Sequence, residues 1–283
     1  MKSTLLAGIA LFAVAWMPGA QAELHLKVIT SSAEGFSVNS TLVYGERDAI
    51  LIDTQFLLSE AHREVAAILE SRKNLIAVYV THPHPDHYFG LAVIKQAFPN
   101  ARLVALPATV AGIKAGWEAR AKFWASEYGD NLPATGPILP DELQAPLLTL
   151  EGEPLQIFGG VVGDAPNNSY VWIPSLKAIV AGDTVFSGTH FTPPKVHYGW
   201  FRTLDEMAAL QPEIVVPGHQ IAGAASDAST LAFMKKYMED YDKALASSKS
   251  AGEFRSKVKE AYPDLGLERL LVSSSEAAFP AKK

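Results

Sequence analysis

Between Glu23 and Asp53 apolar positions either alternate with polar ones or cluster in short runs. Leu24, Leu26 and Val28 alternate, and Leu42-Val43-Tyr44 runs into a polar turn at residues 45–48, from which Ala49 to Ile52 leads out. A period of two broken by turn residues predicts strands and a hairpin. From Ser59 to Arg72 the spacing changes, and Val65, Ile68 and Leu69 share one face of a predicted helix. Leu75 to Val80 is a short, mostly apolar run, as expected of a strand covered on both faces. A polar loop follows, then a predicted helix from about Tyr88 to Phe98, a strand over Leu103 to Leu106 and a long helical stretch from Pro107 to Gly129. Residues 130–146 hold several Pro and Gly and read as surface loop. Leu147 to Asp183 is strand-rich again. Beyond it lie an aromatic loop (Phe186 to Phe201), a helix (Leu204 to Leu210), a strand (Ile214 to Val216) and a mostly helical, charged remainder. Strands and helices are thus interleaved in an α/β chain, and no break in composition demands a second domain within residues 23–283.

One segment of this pattern repeats. Asn39 to Phe56 reads NSTLVYGERDAILIDTQF, and Asn168 to Phe186 reads NSYVWIPSLKAIVAGDTVF. Each is a strand, a turn and a strand ending in Asp-Thr-x-Phe. The repeat predicts two related halves, presenting Asp53 and Asp183 at corresponding strand ends. Sites commonly form where such halves meet.

The first 22 residues have a different character. Lys2 precedes an unbroken apolar run from Leu5 to Trp16; Pro18 and Gly19 break it, and Ala20-Gln21-Ala22 fits a small-residue cleavage site. The run is shorter than the ~20 residues a membrane-spanning helix needs. Residues 1–22 are therefore expected to be an export signal, with a periplasmic or secreted product beginning at Glu23. Removing Lys2 takes the formal charge from −6 to −7, and there are no basic runs, which argues against a nucleic-acid partner. No second long apolar run suggests membrane attachment after signal removal. The chain has no Cys. This excludes lipid attachment at a new N-terminal Cys, thiolate nucleophiles and thiolate metal ligands.

The densest chemistry lies in Thr81-His82-Pro83-His84-Pro85-Asp86-His87, between a predicted buried strand and a helix. Imidazole and carboxylate are ligands of zinc and iron. His82 and His84 both precede Pro, which drives them toward extended geometry. In an extended chain i and i+2 project to the same side, so both imidazoles can hold one ion. Asp86 and His87 sit at the turn into the helix and can face a second ion. Asp53 is expected to support this loop from behind by hydrogen bonds. His25 and His62 read as ordinary surface residues.

This stretch resembles the H-x-H-x-D-H signature of the metallo-β-lactamase superfamily. Gly182-Asp183-Thr184 and Pro217-Gly218-His219 match later motifs of that family, in the same order. The resemblance implies a four-layer αββα sandwich with the site at one edge, between the two sheets. It implies a pair of divalent ions, with zinc expected and manganese or iron as alternatives. His82 and His84 would hold the first ion, Asp86, His87 and His219 the second, and Asp183 would bridge them. One element departs. Where the family has a third His for the first ion, this chain has Gly163-Asp164-Ala165-Pro166-Asn167-Asn168. Three outcomes are open: Asp164 ligates, His190 or His197 from the aromatic loop takes the position, or the first site is weak or empty. Asp164 is the preferred reading.

The expected activity is hydrolysis by a metal-activated water, with Asp86 orienting it or moving a proton. No Gly-x-Ser-x-Gly elbow supports a serine hydrolase. Phe186, His190, Phe191, His197, Tyr198, Trp200 and Phe201 crowd the loop after Asp183, and Trp117 and Trp124 lie in the long helix. Such a group suggests an apolar pocket wall, with Phe186, His190 and Trp200 nearest the substrate. A small hydrophobic ester, lactone, thioester or amide, β-lactams included, suits this better than a polyphosphate. The competing readings are a mono-iron oxidoreductase acting on sulfur compounds or oxygen, a metal-binding protein without turnover, and, with least support, a nuclease. A homodimer through the aromatic loop is a further expectation.

Overall fold

The computed structural model describes residues 23–134 and 136–280. The expected export signal, residues 1–22, lies outside them. In chain order the elements are β1 (His25–Thr30), β2 (Asn39–Tyr44), β3 (Asp48–Ile52), α1 (Leu58–Ser71), β4 (Asn74–Val80), α2 (Leu91–Ala97), β5 (Arg102–Ala105) and α3 (Pro107–Tyr128). There follow β6 (Asp141–Glu142), β7 (Leu147–Leu150), β8 (Glu153–Val161), β9 (Asn168–Ile173), β10 (Ala178–Val180), β11 (Phe186–Ser187), α4 (Tyr198–Ala209), β12 (Ile214–Val216) and β13 (His219–Gln220). Helices α5 (Ser229–Ala246), α6 (Ala251–Ala261) and α7 (Glu268–Ala278) complete the chain.

One sheet has the order β1-β2-β3-β4-β5-β6, and a second has the order β12-β10-β9-β8-β7. In the first, the β1–β2–β3 meander is antiparallel and β3 to β6 pair in parallel. Strand alternation sorts the side chains into three apolar layers. Ile50, Ile52 and Tyr79 of the first sheet meet Val171, Ile173 and Val180 of the second in the space between the sheets. Leu51, Val78 and Val80 turn outward against Ile68, Ile94 and Ile113 of α1, α2 and α3. Tyr170, Trp172 and Ile179 turn outward from the second sheet against α4, α5 and the helices beyond. Both faces of each sheet are covered, which is why β4 after Asn74 and β9 after Ser169 read as continuous apolar runs rather than alternating ones. The result is the expected αββα sandwich. Among the described residues, no helix is long and apolar enough to cross a membrane.

The internal repeat has a structural counterpart. β2–β3 and β9–β10 are antiparallel hairpins, one in each sheet, and each delivers its Asp just past the second strand. Several boundaries differ from the sequence reading. α2 begins at Leu91, because residues 85–87 form a tight 3-10 turn and Gly90 precedes the helix. α4 begins at Tyr198, inside the expected aromatic loop, since Trp200, Leu204 and Met207 make an apolar helical face buried against the second sheet. Within the expected loop 130–146, Asp141–Glu142 adds a short edge strand to β5.

Candidate metal centre

β4 ends at Val80 and releases the chain as an extended loop that turns at Pro85–His87. His84, which precedes Pro85, has φ −81° and ψ 140°, the extended geometry its position requires. Asp183 sits in a turn after β10, and His219 follows β12. Gly218 permits their approach: a Cβ there would lie 2.6 Å from the Gly182 carbonyl carbon and would overlap the Asp183 carboxylate. Asp164 is brought in by its own backbone, whose N–H donates to the Asp183 carbonyl at 3.1 Å.

Two groups of side chains result, each with donor atoms within 4.8 Å of one another: His82, His84, Asp164 and Asp183, and Asp86, His87, Asp183 and His219. Asp183 is common to both. Its Oδ2 lies 3.3 Å from His82 Nε2, and its Oδ1 lies 3.0 Å from His87 Nε2 and 3.2 Å from His219 Nε2. His84 turns its Nδ1 to Asp164 Oδ2 at 2.8 Å. Asp86 Oδ2 stands 3.7 and 3.5 Å from the Nε2 atoms of His87 and His219. A third group, Asp53 with His82 and His87, lies behind these rings.

That third group fixes the protons of the other two. Asp53 Oδ1 accepts from the Thr81 backbone N–H, and Oδ2 accepts from the Thr81 hydroxyl at 2.8 Å and from His87 Nδ1 at 3.0 Å. The Thr81 hydroxyl has spent its proton on Asp53, so at 3.0 Å it accepts from His82 Nδ1. His219 Nδ1 donates to the Phe36 carbonyl at 2.7 Å. With Nδ1 engaged in this way, each of these three buried imidazoles turns its Nε2 to Asp183, where it can hold a proton or, once that proton is displaced, a metal ion.

The donor set fits cations. His82, His87, His219 and Asp183 are almost wholly buried, and Nε2 of His82 and His87 and Oδ1 of Asp183 make no hydrogen bond despite their closeness. Buried polar atoms left unpaired in this way need a partner. The electrostatics agree. Burial opposes ionisation of Asp183, yet the imidazoles of His219, His87 and His82 hold its pKa well below the usual carboxylate range. Burial also disfavours charge on His87, but Asp183, Asp53 and Asp86 outweigh it and raise the pKa well above the ordinary value. For His84, burial is overcome by Asp164 and Asp183, which push its pKa up to about 10. The cluster draws in positive charge, as protons or as metal ions.

Residues 33–219 match the sequence model of the metallo-beta-lactamase superfamily. The chain belongs to that superfamily. A metallo-beta-lactamase family protein from Thermus thermophilus shares its fold with TM-score 0.60, at 19% identity, over 93% of this chain and 92% of that one. A beta-lactamase domain protein from Burkholderia ambifaria gives TM-score 0.61 at 15% identity, over 94% and 88% of the two chains. The BLEG-1 B3 metallo-beta-lactamase gives 0.56 at 16% identity, over 71% and 94%. Comparison with functionally curated proteins finds no match.

In this superfamily member the two groups form the floor of a cleft of about 570 Å³. Its walls include Phe36 and Phe56, Phe123 and Trp124 of α3, and Phe186 and Phe191. Phe186 also stacks on the His219 ring, with centroids 4.9 Å apart. The pocket expectation is corrected at two positions. Trp200 is fully buried in the core and donates its indole N–H to the Thr184 carbonyl. His190 is buried against the Tyr237 hydroxyl at 2.9 Å. Each polar ring is satisfied in the core and does not line the cleft. His197 pairs with Asp242 at 3.2 Å, so neither alternative His reaches the position beside His84 that Asp164 fills. Trp117 packs on Phe89, Tyr198 is largely exposed, and His25 and His62 are surface residues. Sequence reasoning missed Phe36, Phe56 and Arg120 in the cleft and the buried Glu64 behind the site. Arg120 and Glu64 are ordinary helix-surface residue types, and no motif marks them.

Proposed function

We propose that the protein is a metal-dependent hydrolase that uses a pair of divalent ions, zinc foremost, to cut an ester, lactone, thioester or amide bond, β-lactams included, in an apolar substrate. The carrying observation is Asp183, buried between two donor groups with three imidazole Nε2 atoms turned toward it. In this reading His82, His84 and Asp164 would hold one ion, Asp86, His87 and His219 would hold the other, and Asp183 would be available to both. Such ions supply a water acidified toward neutral pH and polarise the scissile carbonyl. The chain's own residues do the rest. Asp53, through Thr81 and His87, keeps the imidazole lone pairs aimed forward. Asp86, partly open to the cleft, uses one carboxylate oxygen to face His87 and His219. Its other oxygen accepts the proton released on attack and returns it to the leaving group. The aromatic walls hold the apolar part of the substrate and exclude bulk water. Action outside the cytoplasm follows from the expected export signal.

One observation favours a second reading. His82, His84 and Asp164 are two imidazoles and a carboxylate, a set that also suits a single iron and oxidative chemistry. Elemental mass spectrometry of the purified protein, joined to assays with nitrophenyl esters, lactones and a chromogenic cephalosporin, separates the two. About two zinc ions per chain, with hydrolysis abolished by chelation, supports the hydrolase. One iron per chain with no hydrolysis overturns it.

A further inference from the structure

Arg120 is the only Lys or Arg among the residues lining the cleft. Arg63, Arg202 and Arg269 each pair with a carboxylate, whereas Arg120 pairs with none among the described residues. Its one hydrogen bond of good geometry runs from Nη1 to the Gly112 carbonyl, at a long 3.3 Å. A half-buried guanidinium beside apolar walls loses hydration and gains little here in exchange.

Two features show that this placement is built in. The first is Gly116, one turn back on α3. A Cβ there would lie 2.7 Å from Arg120 Cζ and overlap its Nη1, so the guanidinium packs directly on the bare backbone of residue 116, and a side chain there would push its flexible end aside. Glycine inside a helix costs roughly 1 kcal/mol relative to alanine, so its use here needs a reason. The second is Tyr88, which directly follows the ligand His87. It is only 1% exposed, and its hydroxyl makes no hydrogen bond of good geometry. The guanidinium of Arg120 is its neighbour, acting on it by charge and as a loosely aligned hydrogen-bond donor. A guanidinium without a carboxylate thus stands beside the metal-ligand loop, with only the Gly112 carbonyl and the Tyr88 hydroxyl as loosely held neighbours.

We infer that Arg120, seated by Gly116 and flanked by Tyr88, is a subsite for an anionic group. The substrate class narrows to apolar molecules that carry a carboxylate or similar monoanion beside the bond to be cut. The inference rests on the proposed hydrolase only in calling this ligand a substrate; the anion subsite itself does not depend on turnover.

The test uses two dyes with one scaffold. 8-Anilinonaphthalene-1-sulfonate carries an anion, and N-phenyl-1-naphthylamine lacks it; fluorescence titration of the purified protein reads both. Wild-type protein should bind the sulfonate. Arg120→Met should weaken that binding about tenfold and leave the neutral dye unchanged. Arg120→Lys should recover part of the loss. Gly116→Ala should weaken only the sulfonate while holding or raising Tm, which separates the subsite from folding. Arg202→Met, an exposed arginine on α4, should change nothing. Equal losses for both dyes, no loss in Arg120→Met, or no sulfonate binding to wild type would each overturn the inference. Matched neutral and carboxylate-bearing esters then distinguish it from the hydrolase reading. Dye discrimination without ester turnover leaves the subsite standing and sinks hydrolysis. Turnover of both esters that is indifferent to Arg120 supports hydrolysis and overturns the narrowing of its substrates to anions.

Discussion

Two residues at the site break expectations, and each predicts a measurement. Asp164 stands where the family pattern has His, and it reaches His84 with one carboxylate oxygen while Asn168 donates to the other at 3.3 Å. Removing it takes a donor from one group only, so Asp164→Ala should lower the bound metal by about one ion per chain and leave the group around His219 loaded. An unchanged count, read by elemental mass spectrometry, would show that Asp164 is not a ligand. Glu64 is buried on the inner face of α1, and neither of its oxygens makes a hydrogen bond of good geometry. Burial, reinforced by the charge of Asp53, pushes its pKa from 4.5 to about 8, with Ser40 and Gln55 offsetting only part. The folded state therefore holds a proton that the unfolded chain gives up above pH 4.5. Its contribution to stability is fully present below that pH and is lost as pH rises to about 8. The linked loss is at most roughly 3–5 kcal/mol. Glu64→Gln, neutral at every pH, should flatten the fall in Tm between pH 5 and pH 8. Parallel profiles for the two proteins would refute the shift.

At the scale of elements, α3 serves the site along its whole length. Gly112 lies under Pro83 of the ligand loop, where a Cβ would come within 2.7 Å of the proline ring. At Gly116 the neighbour is the flexible end of Arg120, but at Gly112 it is a rigid ring between two metal-binding candidates. Gly112→Ala should gain helix propensity of roughly 1 kcal/mol, yet displace His82 and His84 and weaken metal retention. Tight metal binding in that variant, measured by competition with a chromogenic chelator, would show that the loop yields freely. Such contacts bear on what the sequence disclosed. Strands β3 and β4 were legible because burial on both faces leaves a nearly unbroken apolar run, and β2 and β9 because each ends in apolar residues that lead into a turn. The His82–His87 loop was legible because two X-Pro steps and four candidate ligands, three His and one Asp, crowd one turn. The start of α4 was hidden because Trp200 is an aromatic residue serving as an ordinary core anchor, and only its indole bond to Thr184 distinguishes it from a pocket wall. Gly112, Gly116 and Arg120 form no motif, and their meaning depends on what lies across the fold from them.

At the scale of the whole molecule, the two sheets share one site. His82, His84, Asp86 and His87 come from the loop after β4 in the first sheet, while Asp164 and Asp183 come from loops of the second and His219 from β13, just past the second sheet's β12. The family match ends at residue 219, yet the chain beyond it also closes the cleft. Leu270 of α7 lines it, and Arg269 lies over the Phe36 ring at 4.6 Å while bonding Tyr128 and Glu127 of α3. Ions held between the two sheets would bridge halves that are joined elsewhere mainly by apolar packing. The unfolded chain cannot present that donor set, so binding free energy adds to folding free energy. At a free concentration a thousand times the dissociation constant, the gain is about 4 kcal/mol. For a chain of this size, each kcal/mol moves Tm by roughly 2–4 °C. Chelation should therefore lower Tm by about 8–16 °C, and added zinc should restore it. The Asp164→Ala protein should show a smaller shift, because one group then loses its link to the second sheet through residue 164. A Tm indifferent to chelator and to zinc, followed by scanning calorimetry, would mean that protons rather than metal ions balance the charge on Asp183 in the working protein.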